Sequence, residues 1–185
     1  MKVRSIASQD SVVVVSSTNT ALPKGKQTTL GLYVTAREAY EMSIANPERI
    51  KVLDVRTPEE YLFVGHAKTA WNIPIAFLKY QWNAEKNDPV MEPNPDFIAK
   101  AKRFFNATDT ILVACRSGGR SALAVNALAK AGFEKVYNIT DGMEGDVAND
   151  PASVYNGKRM KNGWKNSAPW TYAVDPDLLW IMPKQ

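Results

Sequence analysis

Two residue types are almost missing from this 185-residue chain: it has one cysteine, Cys115, and one histidine, His66. A lone cysteine excludes an intrachain disulfide and any two-cysteine redox cycle within one chain. One cysteine with one histidine cannot build a Cys/His zinc cluster. Long apolar runs are missing too. A membrane-spanning helix needs roughly 18–20 consecutive apolar residues, and the longest candidate, Val12–Val15, is far shorter. Neither a basic leader segment nor a small-residue cleavage pattern marks a signal peptide. Dense Lys/Arg blocks are scarce, although the net charge is +4. The nearest approach, Lys158, Arg159, Lys161 and Lys165, reads as a solvated or anion-attracting surface, so no nucleic-acid partner is expected. The expectation is a soluble chain with no metal and no organic cofactor. Its compartment stays open between the cytoplasm and a bacterial periplasm.

What is present is ordinary for a globular domain: 45% hydrophobic and 23% charged residues. The length suits one domain able to bury its own core. Residues 1–28 are polar and small-residue rich and read as an N-terminal tail, with Val12–Val15 as a candidate edge strand. Residues 29–185 read as a single domain, in which strands alternate with helices. Strands are expected at Leu32–Val34, Lys51–Val55, Ala70–Ile73, Thr110–Ala114 and Lys135–Ile139. Thr35 with Glu38, and Thr57 with Glu60, are capping boxes that open helices, the second with Pro58 at its first helical position. Gly65 ends that short helix. Phe77 to Pro95 reads as an irregular, proline-rich connection, and Asn94-Pro95-Asp96 starts a helix to about Phe105. Gly118 to Ala131 contains a helix packing through Leu123, Ala124, Val125, Leu128 and Ala131, with Gly132 and Phe133 closing it. The alternation predicts an α/β fold in three layers, a mainly parallel sheet flanked by helices on both faces. Ligands bind such sheets beyond the carboxyl ends of the strands.

Cys115 lies there, one residue past the strand Thr110–Ala114. The segment Ala114-Cys-Arg-Ser-Gly-Gly-Arg-Ser121 delivers a cysteine to a tight turn from which a helix departs. Gly118 and Gly119 let the backbone take positive φ, so successive N–H groups can converge. The helix N-terminus and the charges of Arg116 and Arg120 favour a thiolate over a thiol. A Cys–His protease dyad with His66 is disfavoured, because Ser117 and the missing glutamine break the caspase-like pattern.

The loop Cys115-Arg-Ser-Gly-Gly-Arg120 resembles the active loop of rhodanese-like sulfurtransferases. Leu53-Asp-Val-Arg-Thr-Pro-Glu-Glu-Tyr61, Gly65-His66 followed by Ala70-Trp-Asn-Ile-Pro74, Ala131 to Tyr137, and Asp141-Gly-Met143 resemble that family's other motifs in order and spacing. The resemblance covers about residues 31 to 145 and implies a rhodanese-like fold. It also implies transfer of a sulfane sulfur through a Cys115 persulfide, as in a thiosulfate sulfurtransferase. The donor is then a small sulfur-containing anion, and the acceptor a thiol, cyanide or a protein. Arg116, Ser117, Gly118, Gly119 and Arg120 become the substrate-binding loop, with Arg116 on the anionic donor and Arg120 bracing the loop. Asp54, Arg56 and Glu60 become supporting residues.

In the family, four residues between cysteine and arginine go with sulfur transfer. One residue more gives the wider cradle of related phosphatases and arsenate reductases. The intervening residues here are Arg116, Ser117, Gly118 and Gly119, which favours sulfur. Phosphatase or arsenate reductase chemistry, and a non-catalytic binding module, remain the alternatives. The tryptophan that many such domains carry after the glycine-methionine turn is missing here. The pattern resumes at Gly163-Trp164, which implies an insertion around 146–162. Trp82, Trp164 and Trp170 are expected to pack such extensions rather than wall a pocket.

Overall fold

A computed structural model describes residues 22–180 of the chain. Val12–Val15 lies outside them. The chain runs through β1 (Tyr33–Val34), α1 (Ala36–Ala45), β2 (Ile50–Asp54), β3 (Ala70–Asn72), β4 (Ala76–Asn83), β5 (Asp88–Pro93), α2 (Phe97–Phe104), β6 (Thr110–Ala114), α3 (Gly119–Lys130), β7 (Val136–Ile139) and α4 (Trp164–Ser167). Five strands form one sheet in the order β1-β7-β6-β2-β3, and every pairing in it is parallel.

Alternation along the central strand sorts the two faces. Ile111 and Val113 join Phe97, Ala101, Val125 and Leu128 in one cluster under α2 and α3. Leu112 and Ala114 join Ala36, Ala39 and Trp164 in another, under α1 and α4. A strand buried on both faces has no polar side to show, which explains the continuous apolar run Ile-Leu-Val-Ala. Period-2 alternation carries on past the strand and assigns Cys115 to the α2/α3 side.

The helix ends follow local chemistry. Thr35 accepts from the Glu38 N–H while the Glu38 carboxylate accepts from the Thr35 N–H, a complete capping box. Gly132 at φ 99° closes α3, with the Phe133 N–H on the Leu128 carbonyl and the Gly132 N–H on Ala129. This is a Schellman ending whose Phe133 is buried. Thr57 and Glu60 make the same reciprocal contacts. The turn they open widens into π geometry over Glu60–Val64 before Gly65 stops it at φ 91°.

Three details differ from expectation. The irregular connection is an ordered antiparallel hairpin, β4–β5, with a bulge between Leu78 and Trp82. Leu123, expected to pack, is 65% exposed. Residues 22–28, part of the tail on sequence grounds, lie against the body. Lys24–Lys26 forms a short 3-10 turn, Lys26 Nζ donates to the Thr140 carbonyl, and the Thr29 N–H donates to Asn126. Residues 146–162 form a turn-rich loop pinned by a Val147–Arg159 bridge. Among the described residues no helix is long and apolar enough to cross a membrane.

Candidate active site

Strand β6 ends at Ala114, and Cys115 opens the turn into α3. The Sγ is buried and receives the Gly118 N–H at 3.2 Å. Gly118 sits at φ 98°, where a β-carbon would overlap the Thr140 carbonyl, so two separate constraints demand glycine there. The Ser121 hydroxyl lies 3.4 Å from Sγ and donates to Asn138 Oδ1 at 2.7 Å. Asn138 in turn donates to the Gly118 and Lys26 carbonyls. The N-terminal turn is thereby wired into the floor of the loop.

A second turn clamps the loop backbone from outside. The Met143 N–H donates to the Cys115 carbonyl at 2.8 Å and the Glu144 N–H to the Arg116 carbonyl at 3.0 Å. Gly142, at φ 65°, passes so close to the Cys115 and Arg116 backbone that any β-carbon would collide with it. The motif Asp141-Gly-Met143 therefore has a packing reason, the approach of two backbones.

The expected site residues come together in two groups. In the loop, Arg120 forms a bidentate pair with Glu60 at 2.6 and 2.7 Å. Burial alone would raise the Glu60 pKa, but the hydrogen bonds and charge of Arg120 outweigh it and hold Glu60 below its usual value. The same pairing raises Arg120 against the opposing effect of burial. Arg116 is exposed and makes no ion pair among the described residues. Beneath lies the second group. Arg56 is wholly buried and paired with Asp54 at 2.7 Å, and it also donates to the Gly65 carbonyl. Burial would depress Arg56, yet Asp54 outweighs burial and raises it. Asp54 thus contacts Arg56, not the loop. Its link to the loop runs through Glu144, 3.4 Å from Arg56, whose own N–H holds the Arg116 carbonyl.

Glu144, Ser121 and Asn138 were not singled out from sequence. A carboxylate 88 residues from its arginine carries no local signal, although Ser121 directly follows the loop arginine. His66 stacks on Tyr61 with ring centroids 3.7 Å apart, and its Nδ1 faces the Tyr61 carbonyl. It does not line the space over Cys115. Trp164 is buried against Tyr40, Trp170 lies over Arg56 and Trp82 is exposed on the hairpin. None of the three lines that space.

The space is a cavity of about 500 Å³. Its floor is Cys115, Arg116, Ser117, Gly119 and Arg120. Thr57, Glu59 and Glu60 form one side, and the hairpin contributes Leu78, Asp88, Pro89 and Met91. A buried sulfur under a cavity lined by both charged and apolar side chains, touched by a helix N-terminal N–H, is suited to nucleophilic attack on a small electrophile.

A family model described as Rhodanese-like domain matches residues 35–149. The chain is 40% identical over 92 residues to thiosulfate sulfurtransferase 16, chloroplastic, of Arabidopsis thaliana, covering 50% of this chain and 69% of the relative. It is 31% identical over 140 residues to an uncharacterized protein of Rickettsia conorii, covering 75% and 96%. The crystal structure of Rv0390 from M. tuberculosis is similar with a TM-score of 0.57 at 27% identity, covering 76% of this chain and 96% of that one.

Proposed function

The chain belongs to the rhodanese-like domain family, and from that premise we propose that it is a sulfurtransferase carrying sulfane sulfur as a persulfide on Cys115. The observation that carries the reading is the Cys115 Sγ, held by the Gly118 N–H at the floor of a cavity that Arg116 also lines.

In the first half-reaction the Cys115 thiolate attacks the outer sulfur of thiosulfate or a similar donor. A bond forms from Sγ to that sulfur, the sulfur–sulfur bond of the donor breaks, and its electron pair leaves with sulfite. The terminal sulfur of the persulfide then sits among the N–H groups of residues 116 to 120, which favour its negative charge as an oxyanion hole favours oxygen. In the second half-reaction a thiol, cyanide or a protein acceptor attacks the terminal sulfur and returns the electron pair to Sγ. Arg116, without an ion pair of its own, attracts the anionic donor. Arg120, held by Glu60, keeps the loop closed around Ser117, Gly118 and Gly119. Asp54 and Arg56 hold the loop from below through Glu144.

Incubation with thiosulfate, removal of excess and measurement of intact mass tests this. The expected result is a gain of one sulfur atom, absent in Cys115→Ser and discharged by cyanide as thiocyanate. No gain from thiosulfate or polysulfide at a reduced Cys115 overturns it, and hydrolysis of an aryl phosphate would then favour phosphatase chemistry.

A further inference from the structure

The space over Cys115 does not end at its loop. A second cavity, of about 410 Å³, adjoins the first and shares Met91 and Arg120 with it. The two follow one another in the same order along both walls. On α3, Gly119 and Arg120 line the first cavity. Arg120, Leu123 and Ala127, on successive turns of one helix face, line the second. On the hairpin, the cross-strand pair Leu78–Met91 borders the first cavity, and Ala76–Pro93, two residues further along, borders the second. The two cavities are therefore consecutive stretches of one groove between α3 and the hairpin. From Gly119 to Ala127 it runs for about 12 Å, at a helical rise of about 1.5 Å per residue.

The far stretch is apolar, with Ile75, Met91, Phe97, Ile98 and Leu123 along it. Its two polar residues are already engaged. Arg120 has both terminal guanidinium nitrogens on Glu60, which leaves its aliphatic stem to the groove. Asn94 donates to the Pro74 carbonyl at 2.7 Å and accepts the Asp96 N–H at 3.0 Å. A polar group entering here would lose water without gaining a partner, whereas an apolar one gains by burial. Leu123, 65% exposed, is the apolar surface left bare on the α3 wall. Asn94 and Pro95, where the chain crosses from β5 to α2, stand at the far end. That end suits an arm that terminates there.

We propose that the acceptor exchanging sulfur with Cys115 is a small organic thiol with an uncharged apolar arm, which lies along the groove with its sulfur at Cys115 and its tail near Phe97. A small anionic donor needs only the first cavity. The acceptor occupies both, and each has a volume within the roughly 300–1,000 Å³ of organic-ligand sites. This rests on the persulfide reading for the transfer step alone. There the thiolate of the acceptor attacks the terminal sulfur of the Cys115 persulfide, one S–S bond forms, the Sγ–S bond breaks, and Sγ recovers the electron pair as a thiolate.

The test uses methyl, butyl and octyl methanethiosulfonates. The Cys115 thiolate attacks the alkyl-bearing sulfur, a mixed disulfide forms, and methanesulfinate leaves with the electron pair. Cys115 is the single cysteine, so intact mass follows the rate, which is normalised to that of a small free thiol. The normalised octyl-to-methyl ratio is expected to reach about tenfold or more in the native chain, since each added methylene is buried. It should fall about threefold or more in Leu123→Ser, which removes the bare apolar wall. Ala127→Leu narrows the far end and should lower the octyl-to-butyl ratio. A native octyl-to-methyl ratio near one, or ratios unmoved in both variants, overturns the proposal. Leu123 is exposed, so its variant reads the groove even if Ala127→Leu does not fold. Sulfur transfer plays no part in this readout. A chain that discriminates by arm length but never gains sulfur from a donor would keep the apolar groove and lose the sulfurtransferase reading. A chain that gains sulfur without discriminating would do the reverse.

Discussion

Arg120 has two guanidinium nitrogens on Glu60, and both side chains are about three-quarters buried. Removing one partner leaves the other charge underused in a poorly solvated place, so Glu60→Gln is expected to cost about 1–3 kcal/mol near neutral pH. The pH dependence has a definite sign. Glu60 is held below its ordinary value, so the unfolded chain binds that proton more readily than the folded one. Its contribution is complete above the ordinary glutamate range and is lost as pH falls through the lower folded value. Urea unfolding of both proteins across the acidic range checks this, and the gap between them should narrow as pH drops. A gap equally wide at strongly acidic pH would contradict the pairing. Gly118 makes a harsher case at the same scale. Gly118→Ala combines φ 98° with overlap on the Thr140 carbonyl, and is expected to cost at least about 2 kcal/mol. It should also abolish sulfur loading, because relief of that overlap displaces the N–H that reaches Sγ.

Elements meet at Asp141. One carboxylate oxygen accepts the Ala36 N–H at the start of α1, at 2.7 Å, and the other accepts the Gly163 N–H before α4, at 2.8 Å. Burial raises its pKa although both N–H groups oppose the shift. The folded state therefore holds this proton more tightly than the unfolded chain, and ionisation of Asp141 weakens the fold as pH rises, opposite to Glu60. Asp141→Asn places an NH₂ against one of the two donors, so a loss of about 1–3 kcal/mol in denaturant unfolding is expected. Unchanged stability would show that one of these bonds is dispensable. Elements with strong local signals were legible in the sequence: β6 from its apolar run, α1 and α3 from their caps, and the Cys115 loop from its glycines and arginines. The hairpin was not. Pro89 and Pro93 interrupt the run, which ordinarily argues against a strand, and here they pair across a two-stranded ribbon at Trp82 and Ala76. Its alternation is further broken by the bulge at Tyr80. Leu123 fits the helical period of α3, but it faces solvent beside an apolar cavity of about 410 Å³ lined by Ile75, Met91 and Phe97. Periodicity says which residues share a face and says nothing of where a neighbouring element stops. Glu59, Asp88 and Glu144 become site residues only through contacts between distant segments.

Over the whole molecule, the segment from Pro169 to Trp180 fastens the layers together, and little in its sequence announces it. Thr171 exchanges two backbone hydrogen bonds with His66, at 2.9 and 3.0 Å. The Leu178 carbonyl accepts the Asn72 N–H at 2.7 Å, along the open side of β3. Trp170 donates to the Val64 carbonyl and lies 5.7 Å above the Arg56 guanidinium. Leu179 packs on the α1 side of the sheet and Trp180 on the α2 side. Trp170 also presses on Gly65, where a β-carbon would meet its indole, so that glycine answers to a residue more than a hundred positions away. Removing residues 169–185 would take the indole from the buried Asp54–Arg56 pair and free the backbone of His66 and Asn72. The expected cost is about 3–5 kcal/mol, comparable to deleting a large buried aromatic side chain. Amide exchange should accelerate most at His66 and Asn72, whose N–H groups lose their acceptors. The loop amides should be affected less, since Met143 and Glu144 still hold Cys115 and Arg116. Sulfur loading of the truncated chain at low temperature then separates two arrangements. Loading that persists would mean the 141–144 turn alone keeps the loop in shape. Loading that disappears along with fast exchange at Arg116 and Gly118 would mean that the clamp depends on Arg56, and through it on Trp170.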